Sequence, residues 1–135
     1  LIVKGVLSPA QAQQAVSLGA DALIVSNHGG RVLDGVVSPL DVLPAIASSV
    51  GPHVPLLLDS GVRYGTDVVK ALAMGASAVL IGRPQVHALA TAGLLGVAHM
   101  LHLLRAELEL TMTHLGCTTV DRITREVLWS VAPAS

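Results

Sequence analysis

The chain carries little charge, and this scarcity limits what it can bind. Only 13% of its 135 residues are charged, the net charge is −1, and 52% of the residues are hydrophobic. A nearly neutral chain gives no electrostatic reason to expect nucleic acid or an anionic membrane as a partner. A small free-standing domain must also cover much of its surface with polar groups. The composition therefore indicates either a membrane protein or a piece whose apolar faces pack on the rest of a larger protein.

Other features are missing as well. The single cysteine, Cys117, excludes an internal disulfide. No uninterrupted apolar run reaches the roughly 18 residues that a spanning helix needs, so we favour the piece of a larger protein. Because the chain shows no signal peptide and no peroxisomal tripeptide, we expect a cytoplasmic protein.

Metal-binding patterns are also absent from the sequence, which contains no CxxC, HExxH or P-loop motif. His99 and His102 are three residues apart on a predicted helix, but no acid or cysteine completes a ligand set. We therefore expect solvated histidines there and no metal site.

An internal repeat organises the chain. "GV" at Gly5-Val6 returns at Gly61-Val62, and "LGADALIV" from Leu18 returns as "MGASAVLI" from Met74, both 56 residues later. Such self-similarity is the mark of a duplicated structural unit. Each copy predicts a strand, a helix, a Gly-Ala turn and a second strand, and no linker interrupts them. We therefore expect residues 1–135 to form a single unit.

Four continuous apolar runs predict parallel strands covered on both faces; they are Leu1–Lys4, Ala22–Ser26, Pro55–Asp59 and Ala78–Gly82. Between them, the sequence predicts helices starting at Ser8-Pro9, Ser38-Pro39 and Thr66-Asp67, with Gly19 and Gly75 at helix C-termini. A longer helix is predicted over Gly93–Leu115 and a short last one over Val120–Leu128.

Strand periodicity alone does not separate an open doubly wound sheet from half of an eight-stranded barrel. Polar residues, however, follow the C-terminal ends of all four predicted strands: Lys4, Ser26 with His28, Asp59, and Gly82-Arg83. Enzymes with a (β/α)8 barrel build their active sites from residues at the C-terminal ends of their strands. The fold class we predict is α/β, the C-terminal half of a (β/α)8 TIM barrel with about four parallel strand-helix units plus C-terminal helices.

The loops "DSGVRYGTD" and "GRP" predict a phosphate site. Glycines let backbone N–H groups approach an anion, Arg63 and Arg83 supply charge, and a helix beginning near Thr66 adds a positive dipole end. In barrels, the loops after the last two strands form a common phosphate site. The alternative is a pair of glycine turns with solvated arginines.

The loop "SNHGGRVLD" predicts a base and a carboxylate clamp. His28 follows a strand and has an ordinary pKa suited to a general base, while Arg31 offers a planar fork that matches a carboxylate. The alternative is a surface loop in which Arg31 pairs with Asp34. Lys4 ends an apolar strand, where a lysine is costly unless it meets an anion; otherwise it is a surface lysine.

Taken together, "VKGV", "VSNHGGRVLD", "LDSGVRYGTDVVKALAMGA", "IGRP" and "ELELTMTHLGC" resemble the FMN-dependent 2-hydroxy-acid oxidase and dehydrogenase family, which includes glycolate oxidase, lactate oxidase and L-lactate dehydrogenase. The resemblance covers essentially the whole chain and implies the C-terminal half of the family's (β/α)8 barrel. It departs from the family at Val32, Tyr64 and His87. The half that supplies substrate-contacting tyrosines and an acid that orients the histidine is absent.

The resemblance also implies residue roles in oxidising an (S)-2-hydroxy acid to a 2-oxo acid. His28 would be the base, with electrons passing to flavin N5, and Arg31 would hold the substrate carboxylate. FMN would be held by Lys4 and Ser26 at the ring, Asp59 at the ribityl chain, and Gly61, Arg63, Gly82 and Arg83 at the phosphate end.

The resemblance further implies oxygen or another electron acceptor as a partner, and a homo-oligomer for the whole enzyme. Two alternatives stay open. Another FMN barrel enzyme, such as an isomerase, would not need both His28 and Arg31. A truncated half-barrel without activity of its own would leave apolar sheet edges that self-associate.

Overall fold

The computed structural model describes residues 1–129, and residues 130–135 lie outside that description. The described chain forms one four-stranded sheet in which every neighbouring pair is parallel and the strand order follows the sequence. The elements are β1 (Ile2–Val6), α1 (Pro9–Ser17), β2 (Ala22–Val25), α2 (Pro39–Val50), β3 (Leu56–Asp59), α3 (Gly65–Ala73), β4 (Ala78–Leu80) and α4 (Arg83–His114). The predicted α/β class with parallel strands is confirmed.

The internal repeat is a structural repeat. Helix α3 occupies the positions of α1 displaced by the 56 residues that separate the sequence copies. The two helices also end alike: Gly19 and Gly75 follow them with φ of 93° and 108°. Left-handed backbone of this kind favours glycine, which has no Cβ to clash. The predicted helix ends are therefore confirmed in both copies.

Of the three predicted helix starts, one is confirmed and two differ in detail. Ser8 does cap α1, since its Oγ accepts from the Gln11 backbone N–H at 3.3 Å. Ser38 precedes α2, but its hydroxyl makes no capping bond. Helix α3 starts at Gly65 with Tyr64 as its cap, one residue before the predicted Thr66, because the Asp67 carboxylate accepts the Tyr64 N–H.

Strand β1 is longer than predicted. It runs to Val6 rather than ending at Lys4, and its pairing with β2 shifts register between those two residues. Gly5 lies in the shift with φ of 97°. A bulge of this kind re-aims the neighbouring side chains. Lys4 therefore lies inside the strand, and the prediction that every polar residue follows a strand end was wrong at this position.

The C-terminal helices also differ from prediction. Helix α4 starts at Arg83, not Gly93, and breaks at Ala92-Gly93, where Gly93 has φ of 56°. The predicted last helix over Val120–Leu128 is instead two 3₁₀ turns, Val120–Arg122 and Arg125–Val127.

Helix α4 has the length and a window hydropathy of 1.4 that would let a helix cross a membrane. It is broken at Gly93, and past the break it carries Arg105, Glu107 and Glu109. Its Leu104 and Leu108 pack against the core of the sheet. These features favour a helix of the α/β layer over a membrane span.

The core lies between the sheet and the helices on one of its faces. Leu23, Val25, Leu56 and Leu58 point into it, together with Leu43 and Ile46 of α2. On the opposite face Ile24 and Leu57 are only half-buried. Strands predicted to be covered on both faces are thus covered fully on one, and the polar site lies where their C-terminal ends meet.

Candidate active site

A cavity of about 770 Å³ opens at the C-terminal end of the sheet, and the predicted site residues converge on it. Of the nine, eight line it: Lys4, His28, Arg31, Asp59, Gly61, Arg63, Gly82 and Arg83. The ninth, Ser26, is fully buried. A volume of this size is typical of sites for cofactors and drug-sized ligands. Residues spread over 80 positions of sequence are brought together because parallel strands end at the same edge.

An ion pair forms the floor of the site. Lys4 Nζ lies 2.9 Å from Asp59 Oδ2, with the two side chains 40% and 17% exposed. The Ser26 hydroxyl donates to the same carboxylate oxygen at 2.6 Å and accepts from Lys4 Nζ at 3.3 Å. Lys4 thus meets an anion, as a lysine in an apolar strand requires. Ser26 has its hydroxyl engaged within the protein, and its predicted contact with the flavin ring stays a prediction.

The environment of Asp59 favours its charged form. Partial burial alone would raise the pKa of this carboxyl, but hydrogen bonds from Ser26 and Lys4, the charge of Lys4 and the Ser60 hydroxyl outweigh it. The net effect lowers the pKa below its ordinary value. Asp59 is therefore an ionised acceptor, with Lys4 balancing its charge.

His28 is held by its backbone rather than by its ring. It has φ of 57°, which is uncommon outside glycine, and its N–H donates to Ser26 Oγ at 3.0 Å. The imidazole lies against Gly5: a Cβ built on that glycine would be 3.0 Å from His28 Cε1. The ring makes no hydrogen bond to any residue from 1 to 129 and is exposed toward the cavity, which leaves both nitrogens available.

Two residues at the site were missed by the sequence reasoning. Gly5 makes room for the His28 ring, and its place directly after Lys4 in a strand was a usable signal, since glycine inside a strand often marks a bulge or a close approach. Ser60 has φ of 90°, and its Oγ accepts the Gly29 N–H at 3.0 Å. No sequence pattern marked Ser60, because its partner lies 31 residues away.

Positive charge dominates the cavity wall. Arg31, Arg63 and Arg83 line it and form no ion pair with any residue in the described part of the chain. The alternative in which Arg31 pairs with Asp34 is therefore not observed. Arg83 also reaches toward the histidine loop, with Nη2 3.9 Å from a Cβ built on Gly29. With Asp59 balanced by Lys4, the wall keeps three positive charges to offer to an anion.

The predicted phosphate loops meet as expected, and carboxylates of the protein accept hydrogen bonds at the start of α3. Asp67 accepts the N–H groups of Arg63 and Tyr64, at 3.0 and 3.1 Å, and Glu107 of α4 accepts that of Gly65 at 2.8 Å. These amides are therefore occupied by the protein's own carboxylates. The contribution of this helix dipole to anion binding stays a prediction, and the Arg63 and Arg83 side chains bring positive charge to the cavity wall.

Residues 1–130 match the model of the family described as FMN-dependent dehydrogenase. An L-lactate oxidase of Alicycliphilus denitrificans (strain DSM 14773 / CIP 107495 / K601) is 56% identical over 126 residues, which is 93% of this chain and 34% of that protein. A mandelate oxidase solved with benzoyl-formic acid superposes with a TM-score of 0.88 at 46% identity, covering 92% of this chain and 37% of that one. A mandelate oxidase mutant with a monooxide FMN adduct gives the same TM-score and identity, and 40% of its chain is covered.

The chain spans about a third of the length of the curated relative that it matches. The superposed structures are barrel enzymes of which it covers less than half, so the four-stranded parallel sheet is a partial barrel. Because one family model accounts for nearly every residue, the chain belongs to the FMN-dependent dehydrogenase family, whose cofactor is FMN.

Proposed function

We propose that this chain is the C-terminal half of an enzyme that oxidises an (S)-2-hydroxy acid to a 2-oxo acid with FMN. The observation that carries the proposal is the cavity itself. It joins an exposed histidine, one ionised carboxylate and three arginines that form no ion pair with any of residues 1–129. In one cavity these groups could bind a substrate carboxylate, accept a proton and bind a cofactor phosphate.

The described residues fit FMN. The wall is cationic where a phosphate would lie, since Arg63 and Arg83 face the same cavity. Gly61 and Gly82 have no atom within 4 Å of a Cβ built on them, so the backbone there is open to a ligand. We propose that these four residues hold the phosphate, with guanidinium groups matching its oxygens. The Asp59 carboxylate would accept hydrogen bonds from ribityl hydroxyls.

Lys4 would face the flavin ring with its positive charge. Its ammonium is held by Asp59 and Ser26, so its position does not depend on the ligand. When bound, FMN supplies the two-electron acceptor of the reaction. A fixed positive charge near the ring would stabilise the negative charge that develops there when the ring is reduced. Ser26 acts in this arrangement by orienting Lys4 and Asp59.

His28 and Arg31 would handle the substrate. Arg31 would bind the carboxylate through its planar fork and so orient the hydroxyl-bearing carbon. The His28 imidazole, with no hydrogen-bond partner among residues 1–129, would accept the hydroxyl proton. As that proton leaves, the C–O bond becomes a carbonyl, and the α-hydrogen departs with an electron pair. An FMN-dependent isomerase would not need both His28 and Arg31. Their presence in one cavity therefore favours this oxidation over an isomerisation.

The relatives suggest the finer points. A lactate oxidase and mandelate oxidases favour a small 2-hydroxy acid as substrate and oxygen as the acceptor, although another acceptor is compatible with the site. A homo-oligomer and a cytoplasmic location stay predictions.

The experiment uses the full-length enzyme that carries this chain. The purified flavoprotein is mixed anaerobically with L-lactate, D-lactate, glycolate or (S)-mandelate, and the visible flavin absorbance is followed. We expect bleaching by at least one S-configured or achiral 2-hydroxy acid and none by D-lactate. Product analysis should then return the matching 2-oxo acid.

Bound FMN that no 2-hydroxy acid bleaches would overturn the proposed reaction while leaving the family assignment intact. The 135-residue chain can be tested in parallel for quenching of FMN fluorescence. Quenching by the isolated chain would mean that the half-barrel assembles its cofactor site alone, and no quenching would mean that the other half is needed.

A further inference from the structure

We propose that Ser60 is a positioning residue that holds the His28 loop in place through its side-chain hydroxyl. The inference rests on the proposed function, in which His28 is the base. Ser60 directly follows β3, whereas His28 follows β2, so the hydroxyl joins two neighbouring loops at the rim of the cavity.

The first argument is backbone conformation. Within residues 1–129 only His28 and Ser60 combine a side chain with positive φ, at 57° and 90°. Strain of this kind persists only where the surroundings require it, and it clusters at functional sites. Glycine would adopt the conformation of Ser60 without strain. A serine at this position therefore indicates that the side chain is needed.

The second argument is the hydrogen bond that the hydroxyl makes. Ser60 Oγ accepts the N–H of Gly29, the residue directly after His28, at 3.0 Å. The same N–H also contacts Asn27 Oδ1 at 3.0 Å, but Asn27 belongs to the same loop. Gly29 and Gly30 both have positive φ and lack side chains to hold them. The Ser60 bond thus connects this glycine turn to the loop that follows β3.

The Ser60 hydroxyl also lies close to the side chains of Ser26 and Asp59. Ser60 Oγ lies 3.4 Å from Ser26 Oγ and 3.5 Å from Asp59 Oδ2. Ser26 in turn accepts the His28 N–H, so the two serines hold consecutive amides of the loop. Ser60 therefore connects the His28 loop to the partly exposed Lys4–Asp59 pair, so that the base and the cofactor floor keep a fixed relation.

The test compares Ser60→Gly and Ser60→Ala in the full-length enzyme. Both variants lose the hydroxyl, but only glycine relieves the strained backbone. We expect kcat to fall about ten- to hundredfold in both, because small displacements of a reacting group cost rate on this scale. KM and the FMN dissociation constant should change less than about threefold, since Arg31, Arg63 and Arg83 are untouched. The glycine variant should unfold at a higher temperature than the alanine variant.

Ser17→Ala is the matched control. This hydroxyl donates to the Gln14 carbonyl at the far end of α1, away from the cavity, and its loss should leave kcat, KM and FMN affinity unchanged. Unfolding temperature and FMN fluorescence quenching report on the same proteins without turnover. They show whether any loss of rate comes from unfolding or from loss of cofactor.

Wild-type turnover in Ser60→Gly would overturn the inference, since the hydroxyl would then be dispensable. Loss of FMN affinity in parallel with rate would overturn it too, because Ser60 would act on the cofactor and not on His28. An inactive wild type would remove the proposed function and this inference with it. An active wild type with an equally active glycine variant would remove this inference alone.

Discussion

The two copies of the internal repeat share a backbone but carry different chemistry. In the first copy, β2 ends at Val25 and α2 begins only at Pro39, and the long loop between them presents His28 and Arg31. In the second copy, β4 ends at Leu80 and α4 begins at Arg83, which leaves no room for such a loop. The first copy would therefore handle the substrate, and the second would anchor the cofactor.

A repeated framework of strands and helices positions the site, and the loop whose length differs between the copies carries His28 and Arg31. The copies are joined across the sheet by the Asp59 carboxylate of the second, which takes Lys4 and Ser26 of the first as partners. The two copies are also joined by the pairing of β2 with β3 and by the bond from the Gly29 amide to Ser60. The following substitutions test how far the two copies differ in function.

The largest effect is expected for His28→Gln in the full-length enzyme. Removing a general base costs about 10² to 10⁴ in rate, whereas the phosphate-binding copy is untouched. Turnover should be abolished within detection while the protein retains FMN, measured by steady-state rate and by flavin content. A variant that oxidises its 2-hydroxy acid at the normal rate would remove His28 from the reaction.

A large effect on stability is expected for Gly65→Ala. A Cβ at this position would lie 2.2 Å from the Leu108 backbone nitrogen of α4, and overpacking of this kind costs about 3 kcal/mol. Its counterpart in the first copy is Pro9, the first residue of α1. Pro9→Ala is the matched control and should change the free energy of unfolding by less than about 1 kcal/mol. Equal urea midpoints for the two variants would contradict the close contact between α3 and α4.

Arg63→Ala and Arg83→Ala test the anchoring copy. Each should raise the FMN dissociation constant about ten- to hundredfold, the range expected for losing a hydrogen bond from a charged group. Rates at saturating FMN should stay close to wild type. Arg105→Ala removes an arginine whose ion pair with Glu109 is exposed and remote from the cavity, and it should leave FMN affinity unchanged. If FMN affinity survives both cavity substitutions, the phosphate lies elsewhere.

Gly5→Ala and Gly61→Ala compare corresponding positions of the two copies. Both glycines have positive φ, at 97° and 86°, so both alanines introduce backbone strain. Only the Gly5 substitution also presses on the His28 ring, 3.0 Å away. We expect Gly5→Ala to lower kcat at saturating FMN about tenfold, and Gly61→Ala to change stability and FMN affinity with kcat little altered. Identical kcat values would show that the ring does not depend on this contact.

The smallest effect is expected for Asp59→Asn, which changes the carboxylate that links the two copies and should alter how stability depends on pH. The pKa of Asp59 is lowered on folding, so its ionised form stabilises the protein above its ordinary pKa, and that contribution disappears as the pH falls through the folded value. Wild type should therefore lose stability relative to Asp59→Asn as the pH is lowered below 3.8, the ordinary pKa of an aspartic acid. Urea unfolding of both proteins across this range measures the difference. Parallel curves for the two would mean that the Lys4–Asp59 pair does not add to stability.

Much of this arrangement was predictable from the sequence. The repeat of "LGADALIV" as "MGASAVLI" located two helix ends and two strands, because glycine-ended helices and apolar strands are local patterns. The rule that parallel strands end at one edge then predicted that Lys4, His28, Asp59 and Arg83 would meet. Local signals failed where the partner is distant, as for the Gly65 amide at the start of α3, which donates to Glu107 of α4.

The sequence by itself therefore determined the order of strands and helices, the family and the residues that meet at the cavity. The tertiary structure alone decided how they meet. It holds the Lys4 ammonium on Asp59, the Gly65 backbone against α4 and the Gly29 amide on the Ser60 hydroxyl. The physical reason is separation along the sequence. Helix ends and strand periodicity depend on residues that are neighbours in the sequence. The positive φ of Ser60 and the Lys4–Asp59 ion pair, by contrast, depend on groups far along the chain that are packed beside them.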